Sequence, residues 1–279
     1  MLTMTIAGDM TVVPYWRAAP GEGMPPAAEI PDYLDSLLAE SVRMQLRSDV
    51  PVGALLSGGI DSGLVVAHAA NQSSQPINTF TVSFDGARVD EAPLAQAVAD
   101  RYGTTHRRIS VNDQSIADSL PMLAWHMEEP LFDPSVFPNY LIEAALREHV
   151  TVALNGAGGD ELFAGYHRYF QTGLERKYLN ITGMLRRNLL EPLIGLGSPD
   201  TAWKLGRAEK FFNARGTYLN DHTTQFPPAL RGRIGNRPSN LIPAQQLAFQ
   251  SAKGPNQTRA LIADMETYLA EDLMLLLDR

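Results

Sequence analysis

Between residues 50 and 165, short apolar runs alternate with segments of helical periodicity, and this alternation restricts the possible folds more than any other feature of the chain. Runs at 52–56, 77–84, 107–111 and 150–154 have the length and bounding residues of strands. Segments at 61–70, 91–102, near 114–127 and near 138–148 lie between them at helical spacing, with Gly103 as a stop signal after the second. Strands joined through helices cannot pair as tight hairpins. The pattern therefore predicts an α/β fold, a doubly wound and mostly parallel sheet with right-handed crossovers. Upstream, Ile30, Tyr33, Leu34, Leu37, Leu38, Val42 and Leu46 share one helical face and predict an amphipathic helix ending near Arg47. After about Tyr169 the chain reads as helical segments broken by Gly and Pro, a helical C-terminal annex whose last segment covers 258–277. Residues 1–29, with Pro20, Gly21, Gly23, Pro25 and Pro26, read as a linker or tail, leaving 30–279 as the domain.

Composition narrows the chemistry. The 279 residues are 44% hydrophobic, enough for a large buried core. A net charge of −8 argues against nucleic-acid and membrane-surface partners, both of which are polyanionic. Without cysteine there is no disulfide, no thiolate nucleophile and no Cys-based metal site. No apolar run approaches the roughly 20 residues of a membrane span, and the expectation is a cytoplasmic protein. The six histidines lack zinc-binding spacing and read as solvated or capping residues. Lys204, Arg207, Lys210 and Arg215, interleaved with Phe211 and Phe212, read as a packed face with solvated charges.

In a doubly wound sheet the ligand sits outside the carboxyl ends of the strands, so the loops after Leu56, Val82 and Leu154 are expected to converge on one crevice. Two of these loops are rich in glycine. The first, Ser57-Gly58-Gly59-Ile60-Asp61-Ser62, passes from strand to helix, where glycines let backbone N–H groups approach phosphate oxygens. Ser57 and Ser62 would add hydroxyl donors, and Asp61 a hard oxygen ligand for the magnesium that accompanies a polyphosphate. The loop lacks the Gly-Lys-Ser/Thr of a Walker A sequence. The second, Asn155-Gly156-Ala157-Gly158-Gly159-Asp160-Glu161, repeats the strand-to-helix context, and Asp160 reads as a second magnesium-binding carboxylate. Alone, Asp160 would read as a helix-dipole charge.

The first hexapeptide resembles the pyrophosphate loop (PP-loop) of the N-type ATP pyrophosphatases, which implies cleavage between the α and β phosphates and transfer of AMP to a substrate oxygen. Ser48 to Gly53 leading into that loop, Asp90-Glu91 to Gly103 with His106, Glu129-Pro130, and Gly158-Gly159-Asp160-Glu161-Leu162-Phe163 together resemble the synthetase domain of the glutamine-hydrolysing asparagine synthetases. The resemblance implies an adenine nucleotide alpha hydrolase-like fold and an ATP site of Leu56, Ser57, Gly58, Gly59, Asp61, Ser62, Val82, Asn155 and Gly156. It also implies magnesium at Asp61 and Asp160. Its partners would be a small carboxylate, aspartate first, an ammonia or amine donor, and a glutaminase domain, with a homodimer allowed. Three departures qualify it. The family's acidic residue is replaced by Ala157, so that Glu161 or Glu128 would have to substitute or the acceptor differs. The tail at 1–29 matches only the end of a glutaminase domain, and the chain stops at Asp278-Arg279 before a lysine-bearing segment, leaving Leu273 to Leu277 in need of cover. Alternative expectations are an amide-forming synthetase of secondary metabolism, of the β-lactam synthetase or peptide cyclase kind, and a non-catalytic or split ATP-binding module.

Overall fold

The computed structural model describes residues 2–14, 16–19, 21, 23–84, 91–111, 113–127, 135–166, 169, 180–185, 188–189 and 244–278. Glu128, Glu129, Pro130, Asp90 and the 204–215 cluster lie outside the described residues. Chain packing forms two compact units, Gly21–Gly159 with Asp272–Arg279, and Met1–Pro20 with Asp160–Glu271.

The first unit is built on a parallel sheet. Strands β3 (Val52–Leu55), β4 (Asn78–Phe84), β5 (Thr105–Val111) and β6 (Val152–Leu154) lie in the order β5-β4-β3-β6. Every pairing in it is parallel, with Leu55 opposite Phe80, Phe80 opposite Arg107 and Ala54 opposite Leu154. Helices connect the strands as parallel pairing requires: α1 (Ile30–Gln45) precedes β3, α2 (Ile60–Gln72) follows it, and α3 (Ala92–Tyr102) joins β4 to β5. Further on, α4 (Asp113–His126) and α5 (Val136–Leu146) intervene before β6. The alternation of side chains along β3 divides the core in two. Ala54 and Leu56 pack with Val42 of α1, Val66 and Ala69 of α2, and Ala95 and Ala99 of α3. Leu55 instead joins Phe80, Ile109, Leu146 and Val150, under α5. Both faces are covered, as the near-continuous apolar runs predict.

Local chemistry sets several helix ends. Pro31 stands at the start of α1, where its missing N–H costs nothing, and Arg43 complements the dipole in the last turn. Gly103 closes α3 in the left-handed conformation, φ 65°, with its N–H donating to Ala99 O. The 16-residue α1 packs on α2, and Gln72 Nε2 donates to Ala39 O at 2.9 Å between them.

The second unit begins with a hairpin, β1 (Leu2–Met4) antiparallel to β2 (Met10–Val12), within the stretch read as a tail. A turn closes it through Gly8 N donating to Thr5 O at 2.9 Å. Helix α6 (Gly159–Phe163) carries the chain from one unit into the other. Farther along are α7 (Ala244–Ser251), α8 (Asn256–Asp264), a π-helical run Met265–Leu273 and α9 (Met274–Asp278). The single helix expected over 258–277 is thus interrupted. Thr267 Oγ1 donates to Ala263 O at 2.6 Å, a side-chain bond back onto the preceding turn at the point where the backbone pattern widens. Leu276, one of the apolar residues expected to need cover, is buried in the first unit, where α9 packs on α5.

A small core of Tyr169 and Ala260, with Tyr166, Phe249 and Leu261 around them, holds the second unit. Its polar centre is Asp264, fully buried, which accepts from Tyr169 Oη at 2.7 Å and from Gln245 Nε2 at 2.6 Å. These bonds offset the desolvation that a buried carboxylate otherwise suffers.

Candidate functional site

The strand order locates a crevice. Successive crossovers move from β3 to β4 to β5 in one direction, and the chain then returns to place β6 on the opposite side of β3. The direction of winding therefore reverses between β3 and β6, and in open α/β sheets ligands bind at such a reversal, outside the carboxyl ends of the strands. The loops after β3 and β6 are the glycine-rich segments.

The loop after β3 is held by its own hydroxyls. Ser57 N donates to Ser62 Oγ at 3.2 Å, the two hydroxyls lie 3.0 Å apart, and Gly59 N donates to Ser57 Oγ at 3.3 Å. Ser62 Oγ also donates to Gly59 O at 3.3 Å, and its side chain is buried. Ser62, expected as a phosphate donor, braces the loop here. Ser57 is exposed and shares that bracing. Gly58 takes φ 79°, and a methyl group there would lie 2.7 Å from Leu94 Cβ and 2.9 Å from Ala95 N at the start of α3. Only glycine fits both the conformation and the space. Helix α2 opens at Ile60, so its first-turn N–H groups, which have no carbonyl one turn back, face the loop with the positive end of the helix dipole. Asp61 sits in that first turn and is half-buried.

The loop after β6 presses against the same helix start. A methyl group at Gly156 would lie 2.8 Å from Ser62 N and 3.1 Å from Asp61 Cβ, and one at Gly159 would lie 2.5 Å from Asp61 Cγ. Asn155 shapes the loop by accepting the Ala157 N–H on Oδ1 at 2.9 Å, while Gly158 turns at φ 92°. Ala157 is exposed. Glu161, one of the neighbours expected to serve in place of an acid at 157, is only 1% exposed.

Of the residues expected at an ATP site, Leu56, Ser57, Gly58, Gly59, Asp61, Ser62, Asn155 and Gly156 are brought together in the first unit. Val82 lies on the part of β4 that runs past the end of β3, since Leu55 is already opposite Phe80. Asp160 opens the longer segment of the second unit, Asp160–Glu271. Two contributors were not foreseen. Thr81, fully within β4, donates its buried hydroxyl to Leu56 O at 2.5 Å and fixes the last carbonyl before the loop. Leu94 and Ala95 form the wall behind Gly58. A Thr between Phe80 and Val82 is the only local signal for the first, and none exists for the second, whose position depends on how α3 packs.

The chain that carries these loops is similar in sequence to known proteins. The family profile described as asparagine synthase matches residues 33–279. Over 183 residues the chain is 33% identical to "Asparagine synthetase [glutamine-hydrolyzing] 1" of Bacillus subtilis, covering 66% of this chain and 29% of that protein. It is 36% identical over 158 residues to "Putative asparagine synthetase [glutamine-hydrolyzing]" of Mycobacterium tuberculosis H37Rv, covering 57% and 24%. It is 39% identical over 131 residues to "Putative asparagine synthetase [glutamine-hydrolyzing] 2" of Methanocaldococcus jannaschii, covering 47% and 25%. The matches span only 24% to 29% of the length of these relatives. With the profile matching nearly nine-tenths of its residues, on a parallel sheet whose two glycine loops meet at the reversal of winding, the chain belongs to the asparagine synthase family.

Proposed function

We propose that this chain carries the ATP-using site of an amide-forming ligase that activates a carboxylate as its adenylate and releases pyrophosphate. The observation that supports it most is the meeting of the two glycine loops at Asp61 and Ser62, at the reversal point of the sheet. An oxygen of the substrate carboxylate attacks the α-phosphorus of ATP, and the bond to the pyrophosphate oxygen breaks. The nitrogen of ammonia or another amine then attacks the acyl carbon, AMP departs, and the amine loses a proton. Aspartate with ammonia is the first pair to test, in a cytoplasmic setting, with glutamine as the nitrogen source through a partner domain.

The chain's own residues prepare this reaction by position. Backbone N–H groups of Gly58, Gly59 and the first turn of α2 would receive the pyrophosphate oxygens, held in place beforehand by the Ser57–Ser62 brace. Leu56, Asn155 and Gly156 would border the nucleoside, with the backbone near Val82 beside the adenine. The residues also fit magnesium. It favours one or two carboxylates together with phosphate oxygens and water, and Asp61 offers a half-buried carboxylate in the first turn of α2, beside the loop that would meet the phosphates. Asp61 and Asp160 would hold it, and when bound it would neutralise the phosphates. Without it, Gly156 and Gly159 keep the two loops of the first unit together at Asp61 and Ser62, which would let the reacting oxygen and phosphorus meet in one geometry.

The test is release of pyrophosphate from ATP in the presence of a carboxylic acid. Asp61→Asn is expected to lower it by about 100-fold or more, and ADP with orthophosphate as products would exclude the scheme. The exposed methyl group of Ala157 favours a second reading, an amide synthetase of secondary metabolism whose amine is supplied by a larger substrate. Asparagine formation with added ammonia distinguishes the two.

A further inference from the structure

Each of the two carboxylates in this reading lies against a glycine with no room for a side chain. For Asp61 the glycine is Gly159, where a methyl group would lie 2.5 Å from Cγ and 2.8 Å from both carboxylate oxygens. For Asp160 it is Gly165, where a methyl group would overlap Oδ1 and lie 2.8 Å from Cγ. Heavy atoms at these separations interpenetrate, so a side chain at either glycine would force the carboxylate into another rotamer. Neither glycine is selected by backbone conformation, because positive φ occurs at Gly158 and Ala164 and not at these positions. Each is the residue that follows a left-handed one. The left-handed residue turns the chain back, and the glycine after it brings bare backbone onto the carboxylate. At the second position Gly165 N donates to Asp160 O at 3.0 Å, which fixes that turn from the main chain.

We infer that Gly159 and Gly165 are positioning residues, two matched backbone seats that set the rotamers of Asp61 and Asp160. The inference rests on the proposed role of those carboxylates toward the metal-bound triphosphate. It goes beyond that role by assigning their orientation to two residues that need not touch the substrate. The sequence motif contains Gly159 without assigning it a task, and the separations above supply one for it and for Gly165.

The experiment uses the full chain, with Mn2+ and ATP as probes and free Mn2+ read by electron paramagnetic resonance. Gly159→Ala and Gly165→Ala are each expected to weaken Mn2+ binding by about 10- to 100-fold, the range seen when residues that orient metal ligands are changed. Asp61→Asn and Asp160→Asn are expected to do the same. Should the two Asn variants bind Mn2+ as the parent does, the reading of the carboxylates fails. Should they weaken binding while both Ala variants do not, the positioning role is overturned and the reading stands.

A double-substitution cycle on unfolding keeps the inference testable whatever the metal data show. Gly165→Ala is expected to shift the folding equilibrium of the parent about tenfold more than that of Asp160→Ala, where no carboxylate is left to displace. Gly159→Ala is expected to behave likewise against Asp61→Ala. An equal shift in both backgrounds, or failure to fold in both, would mean that the glycine serves the backbone alone and would overturn the inference.

Discussion

Ala164 is the one non-glycine residue with positive φ among the described residues, at 60°. A β-carbon in that conformation crowds the following carbonyl at a cost of about 1–2 kcal/mol, which glycine avoids. Ala164→Gly is therefore expected to stabilise the protein by about 1 kcal/mol, less what the glycine loses in unfolded-state entropy, as read from chemical denaturation midpoints. His106 gives a second prediction. Its Nδ1 lies 3.0 Å from Thr79 Oγ1, and burial holds its pKa below 6.5, opposed by the charge of Asp100. The folded state therefore prefers the neutral ring. The stability this provides is present above pH 6.5 and is lost as the pH falls through the lower folded value. Replacing His106 by Gln should flatten the decline in stability as the pH falls below 6.5, measured by thermal unfolding.

The strand-to-helix loop after β3 depends on elements that are distant in sequence. Gly58 abuts Leu94 and Ala95 of α3, and Leu56 O is held by Thr81 of β4. Gly58→Ala would combine a strained φ of 79° with a clash against α3. The expected result is a loss of about 1–3 kcal/mol in stability together with reduced pyrophosphate release. Retention of both would show that α3 can retreat. The elements themselves were legible in advance, because apolar runs bounded by Gly and Pro set strands to within a residue or two. Expected strands at 52–56 and 77–84 correspond to Val52–Leu55 and Asn78–Phe84. The last helix was less legible. Its π-helical run depends on how the turns settle around Thr267, and helical periodicity does not report hydroxyl bonds to the main chain.

At the scale of the molecule, ligand binding and folding are linked. A ligand that binds only the native state stabilises it by mass action, by about 2.7 kcal/mol at a concentration 100 times its dissociation constant. Magnesium with a non-hydrolysable ATP analogue is therefore expected to raise the melting temperature of the parent, and removal of the metal by chelation to reverse the rise. Asp61→Asn should lose the shift while keeping the unliganded melting temperature close to that of the parent. A shift that survives in the variant would place the nucleotide elsewhere.

The sequence by itself determined the class of fold, the two glycine loops and the family, since each rests on local order: periodicity, punctuation and contiguous motifs. Asp61 and the loop glycines could be singled out because a glycine-rich passage from strand to helix is a local pattern. Tertiary structure decided what these residues do for one another. The strand order β5-β4-β3-β6 put Asn155 and Gly156 beside Ser62, although nearly a hundred residues separate them. Tertiary structure also bonded Ser62 Oγ back to Gly59 O and set Gly159 against the Asp61 carboxyl. Those roles depend on separations of a few ångströms between distant segments, which arise only when crossovers choose a register and the helices pack.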